Sequence, residues 1–304
     1  MLFKFYLDHL AYKMFKLSIS GVFKLIFFLL IFNFTALANN FLVDKNNKLF
    51  IETSNSGFKF HKNYMSQNKY NFSYIEDNLK SRSGNYYQRF ELRNGDCFGD
   101  ENWSDCDNDR QRIELSSKPN QPISGKQCYG YSIKLSNSFT DIRKVSTTLG
   151  QIHQKGGPSG KANSLSSFPP LIQIDARKGK LYLNWHKLSG SSKNVKDESK
   201  YYKLKTLKSM KGVWTDISIC LDFKNKRIDA WVDGDNVVKI LKSPIFFEPD
   251  SIYFKHGIYQ SFISNYTSFK GETPTQIVYY DEVRRGNSIE EVDKNINPDL
   301  KFVD

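Results

Sequence analysis

The 304-residue chain has no sustained helical period, no apolar run long enough to cross a bilayer and no CxxC pair. GxSxG, the P-loop and HExxH are also missing, which excludes the chemistries those motifs carry. With no Cys/His cluster there is no framework for zinc. Sandwich-type glucan hydrolases need two carboxylates spaced along one strand, as in E-x-D-x-x-E. No such strand exists here; DESK and EPD fall in polar stretches. No internal repeat appears and no Pro/Ser linker separates two halves, so one domain is the economical reading.

What is present begins with an N-terminal address. Lys4, Lys13, Lys16 and Lys24 precede the apolar run 25–34, and Ala36-Leu37-Ala38 supplies a small-x-small cleavage pattern. A secretory signal over 1–38 is expected, with Met14 as an alternative start and 39–304 as a single domain. The apolar run is half the roughly 20 residues a spanning helix needs. The expected location is therefore secreted or periplasmic. The formal charge of +12 becomes +9 once those four lysines and Asp8 are removed, and a basic surface attracts polyanions. An even cysteine count in an exported chain predicts disulfides. Cys97 and Cys106 flank a short polar loop and are expected to pair locally, leaving Cys128 and Cys220 as partners across the sheets. Free buried thiols are the alternative for the second pair.

Short β-branched and aromatic runs recur between Gly, Asn, Ser and Lys-Gly punctuation. Strands are expected at 86–93, 110–115, 129–135, 147–153, 171–175, 180–186, 214–223, 227–232, 252–259 and 276–285. Many strands without βαβ alternation predict an all-β sandwich or barrel. Asp233-Gly234 reads as a tight hairpin turn, and Lys178-Gly179 plays a similar part. The stretch 156–167 reads as a mobile loop, 187–208 as a polar, lysine-heavy excursion, and 295–304 as a tail.

Alternation of side chains across a strand sorts the candidate residues. In YFKHGIY, Tyr253, Lys255 and Tyr259 share a face, with bare Gly257 between them. In DNDRQRIEL, apolar Ile113 and Leu115 belong inside, so Arg110, Arg112 and Glu114 face outward; in GQIHQ, Gln151 and His153 do the same. That set matches β-elimination on a uronate polymer. The reaction must neutralise a carboxylate, remove the adjacent C5 proton and protonate the departing O4 oxygen. Arg112 is placed to hold the carboxylate, oriented by Glu114, and Gln151 to assist it. His153 suits the base and Tyr259 the acid, with Tyr253 as its rival; Lys255 would tune the phenol. Arg110, Glu114, Tyr253 and Lys255 are the remaining candidate substrate contacts. Among the other histidines, His9 lies in the signal, His61 in an early loop, and His186 and His256 have the wrong facing or one that alternation leaves unassigned. No cofactor is required. Asp105, Asp107 and Asp109 are the one group suited to Ca²⁺, although the glycine and terminal glutamate of a calcium loop are missing.

The order RQRIEL, QIHQ, PPLIQIDARKGKLYLN, IDAWVDG, YFKHGIYQ, VYYDEVRRG resembles the heparin lyase I and glucuronan lyase group of polysaccharide lyases over residues 86–286. RxRIEL, QIH and YFKHGIY are also similar to jelly-roll alginate lyases. The resemblance implies a concanavalin-like β-jelly roll of two curved antiparallel sheets, with the polymer on the concave face. It also implies His153 as base, Tyr259 as acid, and Arg112 and Gln151 at the carboxylate. The alginate motif usually reads YFKAGxYNQ; His256 and Gln260-Ser261 depart from it. The expected partner is an anionic polysaccharide, heparin- or heparan-like or glucuronan-like. Nucleic acid and, after cleavage, membrane are not expected, and the protein should be a monomer. A non-catalytic carbohydrate-binding jelly roll and an alginate lyase are the alternatives.

Overall fold

A computed structural model describes residues 41–43, 49–52, 59–65, 68–100, 103–118, 120–155, 169–191, 194–245 and 249–303. The expected signal and the expected loop at 156–167 lie outside these residues. Two compact units divide the chain, Met1–Leu42 and Val43–Asp304, and every described residue except Phe41 and Leu42 belongs to the second.

The strands are β1 (Phe41–Val43), β2 (Leu49–Glu52), β3 (Lys59–Met65), β4 (Phe72–Glu76), β5 (Tyr86–Leu92), β6 (Gly99–Asp100), β7 (Trp103–Ser104), β8 (Arg110–Lys118) and β9 (Lys126–Leu135). They continue with β10 (Ser146–Lys155), β11 (Ile172–Arg177), β12 (Lys180–Ser191), β13 (Asn194–Thr206), β14 (Thr215–Asp222), β15 (Arg227–Val232), β16 (Asp235–Ile240), β17 (Ser251–Ser261) and β18 (Gln276–Gly286). One short helix, α1 (Ser264–Lys270), follows β17. A first sheet runs β2-β3-β8-β17-β10-β11-β12-β13 and a second β16-β15-β14-β9-β18-β5-β4, with β6 and β7 a separate ribbon. Neighbouring strands are antiparallel, and the two sheets form a jelly-roll sandwich.

Period-two patterning decides which side of each strand enters the core. Ile113 and Leu115 of β8, Phe254 and Ile258 of β17, and Ile172 and Ile174 of β11 are fully buried. They meet Tyr129, Tyr131 and Ile133 of β9 and Tyr280 of β18 from the second sheet. The Phe254 ring stacks on Tyr129 at 5.4 Å and lies 5.6 Å from Tyr131, joining the sheets at the level of the candidate site. Burying a side chain of this size contributes about 2–3 kcal/mol. His256 takes an inward position too, with Nε2 2.6 Å from Gln88 Oε1 and rings of Phe254, Phe90 and Tyr280 around it. Asp233 and Gly234 both adopt positive φ in the β15–β16 turn, as a tight hairpin requires.

Four expectations are corrected. Residues 187–208 are not an excursion: β12 and β13 pair along their length as an edge hairpin. Charged side chains such as Lys196, Glu198 and Lys200 are solvated there, so the strand shows no apolar period; lysines on an edge also discourage further pairing. Cys128 and Cys220 are bonded to each other, but as register neighbours on β9 and β14 of one sheet, not across the sandwich. His61 belongs to β3, opposite Ser116, instead of an early loop. The C-terminal residues pack against the fold: Val303 is buried, its N–H donates to Glu282 Oε1, and Arg284 donates to the Lys301 carbonyl.

Candidate functional site

The face of the first sheet turned away from the core carries the polar residues that alternation assigned to it. β17 lies between β8 and β10, so its tyrosines and lysine meet both. Arg112, Tyr259, Thr148 and Asp175 form one rung across β8, β17, β10 and β11. Ser116, Lys255, Gln151, Gln173 and Asn184 form another, and His153 stands opposite Tyr253. Between the rungs, Gly257 faces Glu114. Its φ is +132°, and a Cβ there would lie 2.1 Å from the Ile113 carbonyl oxygen, so only glycine lets β17 approach β8 this closely. The register of β10 shifts at the same level, between Thr148 and Gly150. From the other sheet the Tyr280 hydroxyl reaches in, 2.7 Å from the carbonyls of both Leu149 and Gly257, and donates to one of them.

The charges on this face are tightly compensated. Arg112 donates through Nε and Nη2 to the two carboxylate oxygens of Asp105, each at 2.6 Å. Its Nη1 lies 3.5 Å from Glu114 Oε2, and its guanidinium sits 4.5 Å from the centre of the Tyr259 ring. Glu114 also accepts from Gln151 Nε2 at 2.5 Å and from Lys255 Nζ at 3.1 Å. Arg112, Glu114, Gln151 and Lys255 are buried, whereas His153, Tyr253, Tyr259 and Arg110 remain partly accessible.

These surroundings set the protonation states. Burial, helped by the Lys255 and Arg112 charges, pushes the His153 imidazole down to about 3, so it is neutral at physiological pH. Its Nδ1 lies 2.8 Å from the Gln154 carbonyl oxygen; that acceptor fixes the proton on Nδ1 and leaves Nε2 with a lone pair. Burial raises the Tyr259 phenol, opposed by Arg112 and Arg110. Burial lowers the Lys255 ammonium, opposed chiefly by Glu114. For Arg112 burial works against the charge, but Glu114 and Asp105 outweigh it and its pKa is raised.

Three details differ from expectation. The cation beside Tyr259 is Arg112, while Lys255 turns to Glu114. The principal orienter of Arg112 is Asp105, with Glu114 at a longer distance. The Asp105, Asp107, Asp109 triplet does not converge as a calcium site: Asp105 is committed to Arg112 and Asp109 accepts from the N–H and hydroxyl of Ser264. Among the described residues no group of three His, Cys, Asp or Glu is arranged to hold a metal.

Asp105 has a role other than the calcium ligation expected of it, because its pairing with Arg112 is made by tertiary geometry. The Cys97–Cys106 bond closes the loop around it, its N–H donates to the Phe98 carbonyl, and its carbonyl accepts from Arg110 N. His186 also belongs to this face, contrary to expectation. It lies 2.7 Å from both Asp197 Oδ2 and Gln173 Oε1. The signal was available: Leu181, Leu183 and Trp185 point inward, so Tyr182, Asn184 and His186 must point out.

A family described as polysaccharide lyase matches residues 53–284. No curated protein matches the chain by sequence. Among solved structures, an endo-β-1,4-glucuronan lyase from the fungus Trichoderma reesei is similar at 17% identity and TM-score 0.55, covering 79% of this chain and 95% of that one. A family 7 alginate lyase is similar at 15% identity and TM-score 0.48, covering 73% of this chain and 85% of its own. The first of these shares the two-sheet fold. The family match spans well over half of the sequence, and the chain accordingly belongs to the polysaccharide lyases.

Proposed function

We propose that the protein is exported after cleavage following Ala38 and cleaves a uronate-containing anionic polysaccharide, of glucuronan or heparan type, by β-elimination. The observation that carries this reading is the gathering of Arg112, Glu114, Gln151, His153, Lys255 and Tyr259 on one face of three adjacent strands, with His153 unprotonated. Arg112 and the Gln151 amide attract the uronate carboxylate, which acidifies the C5 proton. His153 Nε2 takes that proton, and the C5–H electrons form the C4–C5 double bond. The C4–O4 bond breaks with its electron pair on O4, which takes the Tyr259 phenolic proton. No water is consumed, and the products are an unsaturated uronate end and a new reducing end. The similar glucuronan lyase makes glucuronan a natural first polymer to try.

One observation favours a second donor: the Tyr253 ring stacks on His153 with centroids 5.3 Å apart, while Tyr259 lies several positions along β17. The test is absorbance of unsaturated uronate on a panel of glucuronan, heparan sulfate, heparin and alginate. Purified protein should generate product on at least one polymer. His153→Ala and Tyr259→Phe should each lower kcat by at least about a hundredfold, the usual scale of acid–base removal. Full turnover by Tyr259→Phe with loss in Tyr253→Phe would transfer the acid role; silence on every polymer would sink the substrate class.

A further inference from the structure

We propose that the basic cavity beyond the Tyr259 end of the polar face is a second anion subsite, which binds a carboxylate or sulfate of the same polymer on the fragment that leaves with O4. The inference rests on the lyase reading for the polymer's identity but on separate residues for its binding.

The cavity encloses about 920 Å³ and is lined by Arg143, Lys144, Arg177, Lys178, Tyr201 and Phe262. The one carboxylate in its wall, Asp141, accepts from the backbone N–H of Gly179 at 2.5 Å and so serves the β11–β12 turn. Among the described residues none of the four cations is in an ion pair. Arg177 lies over the Tyr201 ring at 4.5 Å and Lys144 over Phe269 at 5.1 Å, contacts that hold the side chains without cancelling their charge. Tyr201 and Phe262 are 42% and 60% exposed, leaving aromatic surface beside the cations.

The register joins this cavity to the reaction centre. Ser146 is opposite Ser261, two positions beyond the Thr148–Tyr259 pair, and Arg177 is two beyond Asp175. Two residues of strand cover roughly 7 Å and return to the same face. A polymer following β17 with its scissile O4 at Tyr259 thus carries its next sugars over the cavity. The contrast in charge explains why a second site is needed. At the reaction centre Arg112 and Lys255 are already met by Asp105 and Glu114. The cavity holds four cations against one engaged carboxylate, so it supplies the field that attracts a polyanion.

Two double variants test it, Arg177→Ala with Lys178→Ala at the β11–β12 turn and Arg143→Ala with Lys144→Ala in the segment before β10. Each is titrated with long glucuronan, heparin and uncharged dextran over a range of salt concentrations, alongside turnover. The expected result for each is roughly tenfold weaker binding of the long polyanions at low salt, a flatter salt dependence and unchanged kcat. Dextran, which carries no charge, should respond to neither variant. A larger loss on glucuronan marks a carboxylate as the natural occupant; a larger loss on heparin marks a sulfate. Wild-type affinity for the polyanions in both variants, or an equal change on dextran, overturns the subsite. Weaker polymer binding with no unsaturated product on any polymer would keep the subsite and remove the lyase substrate instead.

Discussion

Glu114 is the residue on which the charges of the site turn. Its carboxylate accepts from Gln151 and Lys255 and lies near Arg112, all with little contact with water. Glu114→Gln keeps the shape but removes the carboxylate charge that faces the buried Lys255 and Arg112. Removing one partner of a buried ionic group costs about 3 kcal/mol. The introduced amide keeps one acceptor oxygen, so either Gln151 or the Lys255 and Arg112 cations face an NH2 donor, and the orientation of Gln151 toward substrate is loosened. The variant should therefore unfold at lower urea concentration and show kcat reduced by more than about tenfold on the responsive polymer. Wild-type turnover in a folded Glu114→Gln protein would show that the network supports stability alone.

At the scale of the element, β17 does two jobs with one strand. Its inner side fills the core with Phe254, His256 and Ile258, and its outer side presents Tyr253, Lys255 and Tyr259. The join between these jobs is Gly257. Gly257→Ala places a Cβ 2.1 Å from the Ile113 oxygen at a φ of +132°, where side chains are strained in any case. The strand must then move off β8, carrying Tyr259 away from Arg112. Stability should fall by about 3 kcal/mol or more, the scale of strain plus lost packing. Turnover should fall further than the unfolded fraction explains, which kinetics corrected by circular dichroism would reveal. Unaltered activity would mean that the close approach of β8 and β17 does not position Tyr259. The Tyr280 hydroxyl beneath the same backbone explains why this irregular stretch holds one conformation: its bond satisfies a carbonyl that the shifted register leaves inside the core.

For the whole molecule, burial of histidine links stability to pH. The imidazoles of His153 and His256 are both pushed down to about 3 by burial. In the unfolded chain they titrate near 6.5. Between these values the unfolded state holds more protons, so stability is full above about pH 6.5 and is lost as the pH falls toward 3. Asp281, raised to about 7 by burial, works in the opposite direction, because its protonated form is favoured in the fold. A comparison that isolates one group is therefore needed. His256→Ala loses the Gln88 bond and is less stable at pH 7. Between about pH 4 and 6, however, its stability should decline less steeply than wild type, by about one proton, or about 1.4 kcal/mol per pH unit. Urea unfolding at several pH values measures both slopes. Parallel slopes would mean that His256 is protonated within the fold.

Period-two patterning carried most of the fold: the ten strands expected from apolar and β-branched runs are all present, because each needs a core side that composition displays. The same rule put Arg112, Glu114, Gln151, His153, Lys255 and Tyr259 on one face without reference to any neighbour. It failed where burial does not write itself into the pattern, as in the solvated hairpin partner β13, whereas His186 obeys it, alternating with the inward Leu183 and Trp185. Contacts between distant segments were decided by tertiary structure alone. Asp105 reaches Arg112 through a disulfide-closed loop, Tyr280 reaches β17 from the opposite sheet, and Gly257 is demanded by the backbone of β8. The sequence by itself determined which side chains could face a polymer, since alternation is a local property. Which of them touch, and how their charges balance, depends on register and sheet order, and those are set by packing across the whole sandwich.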